Sequence, residues 1–208
     1  MTLELPAGSF AAYLFDCDGT LADSMPLHYI AWKKALDEYA CPFPEDLFYA
    51  LGGLPVEAIV ARLNQDHNLS IPVDIFAHRK EALYYAMLPE LKAIPEVLEH
   101  AHAEHGKIPF AVVSGGTRES VTLTLEALGL LHLFDTFICA GDYTHGKPHP
   151  EPFLLAAEKL GVAPADCLVF EDAEPGIQAA IAAGMAWVRI PHPRERAGIE
   201  QFSLRYGA

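Results

Sequence analysis

The stretch of this chain richest in chemistry is "FDCDGTLADS", residues 15–24. There Asp16 and Asp18 flank a cysteine at the point where an apolar run meets a Gly-Thr turn. Side chains two positions apart on extended backbone share a face, so both carboxylates can reach one ligand. A capped polar turn would account for the pair alone. The sharper reading divides labour, with one carboxylate attacking and the other handling protons. A second acidic pair, Glu171 and Asp172, closes "CLVFED". On its own it could simply favour the positive end of a following helix. Ser114 and Gly115 in "VVSGGT" offer a hydroxyl and exposed backbone N–H groups, which suit a phosphate. Lys147 in "HGKPHP" supplies a cation in a loop. If these segments meet, four carboxylates crowd one crevice and repel. They then need a divalent cation, and all-oxygen donors favour Mg²⁺.

What must position them is legible in the apolar runs. Residues 11–16, 110–115, 136–140, 167–172 and 186–190 are short, β-rich and almost continuously apolar, as strands buried on both faces are. Helical patterns over 117–128, 151–160 and 175–183 separate the later runs, each followed by glycine. The alternation predicts an α/β fold, a Rossmann-like parallel sheet with helices on both faces. Ligands of such sheets bind beyond the carboxyl ends of the strands, where Asp16, Ser114 and Glu171-Asp172 would converge. Residues 21–93 break the rhythm with three helical patterns and no good strand. They read as an inserted α-helical cap domain with Leu27, Ile30, Ala31 and Leu36 facing inward on its first helix. The α/β core is then 1–20 with 94–208, and the Pro-punctuated "LPELKAIPEV" is the expected hinge.

Composition limits the partners. The 208 residues carry 14 Lys+Arg against 28 Asp+Glu, a formal net charge of -14 that repels phosphodiester backbones and disfavours nucleic acid. A content of 51% hydrophobic residues is enough to bury a real core. No apolar run reaches the ~18 residues of a membrane helix, and the first 15 residues make a poor signal peptide. The four scattered cysteines form no C-x-x-C pair and suit free thiols in a reducing cytosol. A monomer is expected, with a dimer as the alternative.

The order D-x-D-G-T, S-G-G, K-P, E-D, each at a strand end, resembles the haloacid dehalogenase-like superfamily over about Ala12 to Pro191. Within it, "DSMPLHYIAWKKAL" and "EDAEPGIQAAIAAGM" look like the β-phosphoglucomutase-like subgroup and its sugar-phosphatase relatives. The resemblance implies that Asp16 is the nucleophile on phosphorus and Asp18 the general acid/base. It implies an Mg²⁺ held by Asp16, the Asp18 carbonyl, Asp172 and Glu171, with Ser114, Gly115 and Lys147 on the phosphate and Thr20 orienting the loop. It further implies substrate contacts from His28 and Lys80 of the cap, with Arg118 at the rim. The small phosphorylated metabolite would be a phosphosugar of the fructose 1-phosphate kind. Mutase caps carry G-x-x-R, whose arginine grips a second phosphate. Here Val56 stands at that position. That departure favours hydrolysis over β-phosphoglucomutase activity. A phosphonate hydrolase using Lys80 and a noncatalytic binding module remain further alternatives.

Overall fold

A computed structural model describes residues 3–52, 54–191 and Glu195. Gly53 of the Val56 pattern and nearly all of the stretch 192–208, which matches no motif, lie outside the described residues. Among the described residues the chain divides into two compact units. One comprises the residues up to Asp23 together with those from Lys92 onward, and the other is Ser24–Leu91. These divisions fall at 23/24 and 91/92, against 20/21 and 93/94 from the sequence pattern.

The first unit is built on five parallel strands, β1 (Ala12–Phe15), β2 (Phe110–Thr117), β3 (Thr136–Ala140), β4 (Cys167–Glu171) and β5 (Ala186–Arg189), in the order β3-β2-β1-β4-β5. β1 is central, with Phe15 level with Val112 of β2 and Phe170 of β4. Alternation along β1 splits the core into two faces. Tyr13 and Phe15 join Phe110, Val112, Leu168 and Phe170 on one. Ala12 and Leu14 join Ala111, Val113, Cys167 and Val169 on the other. Each fully buried phenylalanine of the first face contributes about 1.5–3 kcal/mol by leaving water. The second unit holds α1 (Met25–Asp37), α2 (Glu45–Ala50), α3 (Val56–His67) and α4 (Val73–Tyr85). The first unit holds α5 (Pro95–Glu104), α6 (Arg118–Ala127), α7 (Glu151–Leu160) and α8 (Glu174–Ala182). Helices α5 and α6 pack Val97, Ala101, Val121 and Leu125 on the aromatic face of the sheet, and α7 and α8 pack Phe153, Ala156, Ala179 and Ala180 on the other.

The second unit has its own core of Trp32, Ala35, Leu36, Phe43, Phe48, Val60, Leu63 and Phe76. Here the expected inward face of α1 needs correction. Ile30 is 37% exposed, while Trp32 and Ala35 are buried beside Ala31 and Leu36. The helix is rotated so that its indole fills the space against Phe43 and Phe76. Two helices escaped the sequence pattern: α2, and α5, which begins at Pro95 inside the expected hinge.

Candidate active site

Strand order reverses at β1, so the carboxyl ends of β1, β2 and β4 lie side by side, the place where a parallel sheet opens a crevice. Asp16 follows the last residue of β1, and its backbone N–H donates to the Phe170 carbonyl at 3.0 Å. Glu171 ends β4 and Asp172 begins the turn into α8. One carboxylate oxygen from each of Asp16, Glu171 and Asp172 lies within 4.8 Å of the others. Lys147 enters this group from the β3–α7 loop. Its ammonium donates to Asp16 Oδ1 at 2.7 Å, Glu171 Oε1 at 2.7 Å and the Val113 carbonyl at 2.9 Å. Those three bonds use all three ammonium hydrogens and hold the lysine in one position.

The loop after β1 is fitted to this cluster by glycine. Gly19 sits at φ +93°, and a Cβ there would come within 2.2 Å of Asp172 Oδ2. Thr20, fully buried, donates its hydroxyl to Asp172 Oδ1 at 3.3 Å. Gly176, in the first turn of α8, does the same service for Glu171, because a Cβ there would lie 1.7 Å from Oε1. Glu171 Oε2 in turn accepts the Ala173 N–H at 2.8 Å. Sequence reasoning did not single out Gly176. Its signal was a glycine inside a helix, where it costs conformational entropy unless something needs the room.

Charge explains the rest of the geometry. Burial pushes the Asp16 carboxyl well above its usual range; Lys147 pulls it back in part, and Glu171 and Asp172 raise it further. Burial, aided by Glu171, pushes Asp172 up to about 7. Burial alone would lower the Lys147 ammonium, but Asp16 and Glu171 outweigh it and hold it above the ordinary lysine range, so Lys147 stays charged. Three carboxylates against one ammonium leave an excess of negative charge that a divalent cation would neutralise. The donor set, all hard oxygen, suits Mg²⁺.

Asp18 stands half-buried opposite β2, with Oδ2 3.9 Å from where a Cβ on Gly116 would be. Its side chain lies outside the three-carboxylate group. Ser114 and Gly115 lie in β2 as the apolar run predicts, but the strand continues two residues further to Thr117, with its pairing to β3 irregular between Val113 and Thr117. The slack comes from Ser114 Oγ, which accepts the Gly116 N–H at 3.0 Å. Beyond Gly115 is open space, since a Cβ there would meet no atom within 4 Å. Tyr143, also not foreseen, donates its hydroxyl to the Ser114 carbonyl at 3.3 Å.

The structure gives each rim and cap candidate a partner within its own unit. Arg118 is tied to Asp142 Oδ2 at 2.5 Å and to the Phe137 carbonyl at 3.3 Å, so it braces the end of β3. In the second unit, His28 stacks on Tyr84 at a centroid distance of 3.9 Å, and Lys80 is buried and ion-paired with Glu81. Their expected substrate contacts rest on the sequence resemblance alone. Cys17 is buried, and burial raises its thiol well above the usual range, which removes it as a nucleophile.

Comparison with known proteins identifies the family. Residues 10–184 match the family model described as haloacid dehalogenase-like hydrolase. The fructose-1-phosphate phosphatase YqaB of Escherichia coli (strain K12) is 36% identical over 177 residues, covering 85% of this chain and 94% of that protein. The β-phosphoglucomutase of Bacillus subtilis (strain 168) is 31% identical, covering 84% and 80%. Among solved structures, a β-phosphoglucomutase from Clostridium difficile superposes with a TM-score of 0.76 at 23% identity, covering 95% of this chain and 98% of that one. At that identity the likeness concerns the fold.

Proposed function

Since the chain belongs to the haloacid dehalogenase-like hydrolases, we propose that it is an Mg²⁺-dependent phosphatase of a small phosphosugar of the fructose 1-phosphate kind. The observation that carries this is the grouping of Asp16, Glu171 and Asp172 at the ends of β1 and β4, with Lys147 paired to Asp16 and Glu171. The 36% identity to a fructose-1-phosphate phosphatase supports the substrate class.

In this reading a carboxylate oxygen of Asp16 attacks phosphorus in line with the ester oxygen. The new P–O bond forms as the ester P–O bond breaks, and Asp18 donates its proton to the departing sugar oxygen. Asp18, now a carboxylate, takes a proton from water, whose oxygen attacks the aspartyl-phosphate. The P–O bond to Asp16 breaks and inorganic phosphate leaves. Asp16, Asp172, Glu171 and the Asp18 carbonyl would hold Mg²⁺, which draws negative charge off the phosphate when bound. The repulsion to be offset is roughly 4 kcal/mol per pair of unit charges at ~4 Å with an effective dielectric near 20. Lys147 offsets part of it by neutralising Asp16 and Glu171. Ser114 and the backbone at Gly115 supply N–H and hydroxyl donors to the equatorial oxygens. In this reading the enzyme works as a monomer in the cytoplasm, where its four free, buried thiols would stay reduced.

The Bacillus relative favours one rival, a β-phosphoglucomutase. Val56 argues against it, since a mutase must clamp a second phosphate. A paired assay with Mg²⁺ separates the two. Phosphate release from fructose 1-phosphate and glucose 6-phosphate is followed in one arm. Glucose 6-phosphate formation from β-glucose 1-phosphate, primed with the 1,6-bisphosphate, is followed in the other. The phosphatase reading expects fast release without isomer formation. Fast isomer formation with little free phosphate overturns it.

A further inference from the structure

The loop that delivers Lys147 reads "THGKPHPE", residues 144–151, and it carries a second constellation that the phosphatase chemistry does not use. His145, His149 and Glu151 each present a ligand-type atom within 4.8 Å of the others. Glu151 Oε2 is the point of convergence, 2.8 Å from His145 Nδ1 and 3.8 Å from His149 Nδ1. Two donors bound tetrahedrally to one zinc ion, each at about 2.0–2.2 Å, lie roughly 3.3 Å apart. The two observed separations straddle that value, so small side-chain rotations would bring all three atoms onto a common centre.

The carboxylate is held in place for this. Its Oε1 accepts the Thr144 N–H at 2.7 Å and its Oε2 the His145 N–H at 3.0 Å. Those bonds, with that of Thr144 foremost, lower the Glu151 carboxyl below its usual range and keep it ionised. The rings are close as well, with centroids 4.7 Å apart. His149 Nδ1 accepts the Glu151 N–H at 3.2 Å, so that nitrogen carries no proton, the state a ligating imidazole requires. Pro148 and Pro150 on either side of His149 restrict the backbone and limit the entropy lost when the loop is clamped. His145 and His149 are 62% and 51% exposed at the side chain, which leaves the centre accessible to ions and with room for water as a fourth ligand.

We propose that His145, His149 and Glu151 form a second metal site, selective for a borderline ion of the Zn²⁺ class, on the loop that carries Lys147. The donor set separates it from the acidic cluster. Two imidazoles and one carboxylate suit Zn²⁺, whereas the oxygen-only group of Asp16, Glu171 and Asp172 suits Mg²⁺. Coordination exchanges the His145–Glu151 hydrogen bond, and the bond His149 Nδ1 accepts from the Glu151 N–H, for metal–ligand bonds, with the His145 ring proton moving to Nε2. The inference stands whether or not the phosphosugar reading holds, because none of its three ligands takes part in that chemistry.

The test is calorimetric titration of the full chain with ZnCl₂ in saturating Mg²⁺, repeated with Co²⁺ to read ligand-field absorption. The wild type is expected to bind one Zn²⁺ above the Mg²⁺ background and to give the intense visible bands of a low-coordinate Co²⁺ centre. His149→Ala and, separately, His145→Gln should each weaken Zn²⁺ binding by about tenfold or more and abolish those bands. Their circular dichroism and Mg²⁺-dependent phosphate release should stay at wild-type levels. Asp172→Asn should leave the Zn²⁺ event intact. The proposal is overturned if the wild type takes up no Zn²⁺ in Mg²⁺. It is equally overturned if both histidine variants bind Zn²⁺ as the wild type does, or if Asp172→Asn alone removes the binding.

Discussion

Lys147 is the residue on which the acidic cluster turns, because its three hydrogens are shared among Asp16, Glu171 and the Val113 carbonyl. Lys147→Met keeps most of the length of the side chain and removes the charge. Two buried carboxylates then lose their partner, a change that costs about 3–5 kcal/mol for a buried pair. The expected result is a lower urea midpoint at pH 7.5 without Mg²⁺, and kcat/KM for phosphate release reduced by about 100-fold or more. An unchanged urea midpoint would mean that the lysine does not hold the carboxylates. At this scale much of the site was legible in the sequence, since its chemistry is packed into four short motifs: D-x-D-G-T, S-G-G, K-P and E-D. What spacing could not convey is how oxygens and hydrogens are shared. Arg118 follows the phosphate motif directly, yet its guanidinium bonds to Asp142, a residue 24 positions away whose other neighbour is the Cys139 N–H. Pairings of that kind are set by tertiary proximity, which no local pattern encodes.

At the scale of elements, the junctions between strand and helix decide where the acids point. Gly176→Ala places a methyl in the volume of the Glu171 carboxylate. Overpacking of this sort costs about 1–3 kcal/mol. It should also push Glu171 off Lys147 and the Ala173 N–H, so phosphate release should fall by about tenfold or more. Wild-type activity in this variant would show that Glu171 need not occupy that position. Thr117, the N-cap of α6, accepts the Ser120 N–H at 3.2 Å. Thr117→Ala should therefore cost about 1 kcal/mol in urea unfolding. The five strands were legible because strands buried on both faces leave continuous apolar runs. β2 runs two residues past its expected end at Gly115, because an irregular pairing with β3 keeps Gly116 and Thr117 in the strand. Helix α2 has six residues, too few to display a period, and α5 buries only Val97 and the small Ala101, so its apolar signal is faint.

For the whole molecule, the acidic cluster ties stability to pH and to the cation. Asp16 and Asp172 both have folded-state pKa values raised above their unfolded ones, Asp172 from 3.8 to about 7. Between those values the folded state holds more protons than the unfolded, so metal-free stability falls as pH rises through that window. In EDTA the Tm should therefore be lower at pH 7.5 than at pH 5, and Mg²⁺ should raise it more at pH 7.5 than at pH 5. An equal Mg²⁺ effect at both values would show that the cluster does not bind the cation. The strand–helix alternation and the helical insert were visible in the sequence at this scale. The rotation of α1 was not, because a tryptophan's place depends on the cavity that receives it. The central claim, that Asp16 forms the bond to phosphorus, is tested most directly by Asp16→Asn assayed beside the wild type for phosphate release from fructose 1-phosphate with Mg²⁺. The account predicts release at the uncatalysed level from a protein whose Tm lies within about 5 °C of the wild type. Turnover at a wild-type rate by the folded variant would contradict it.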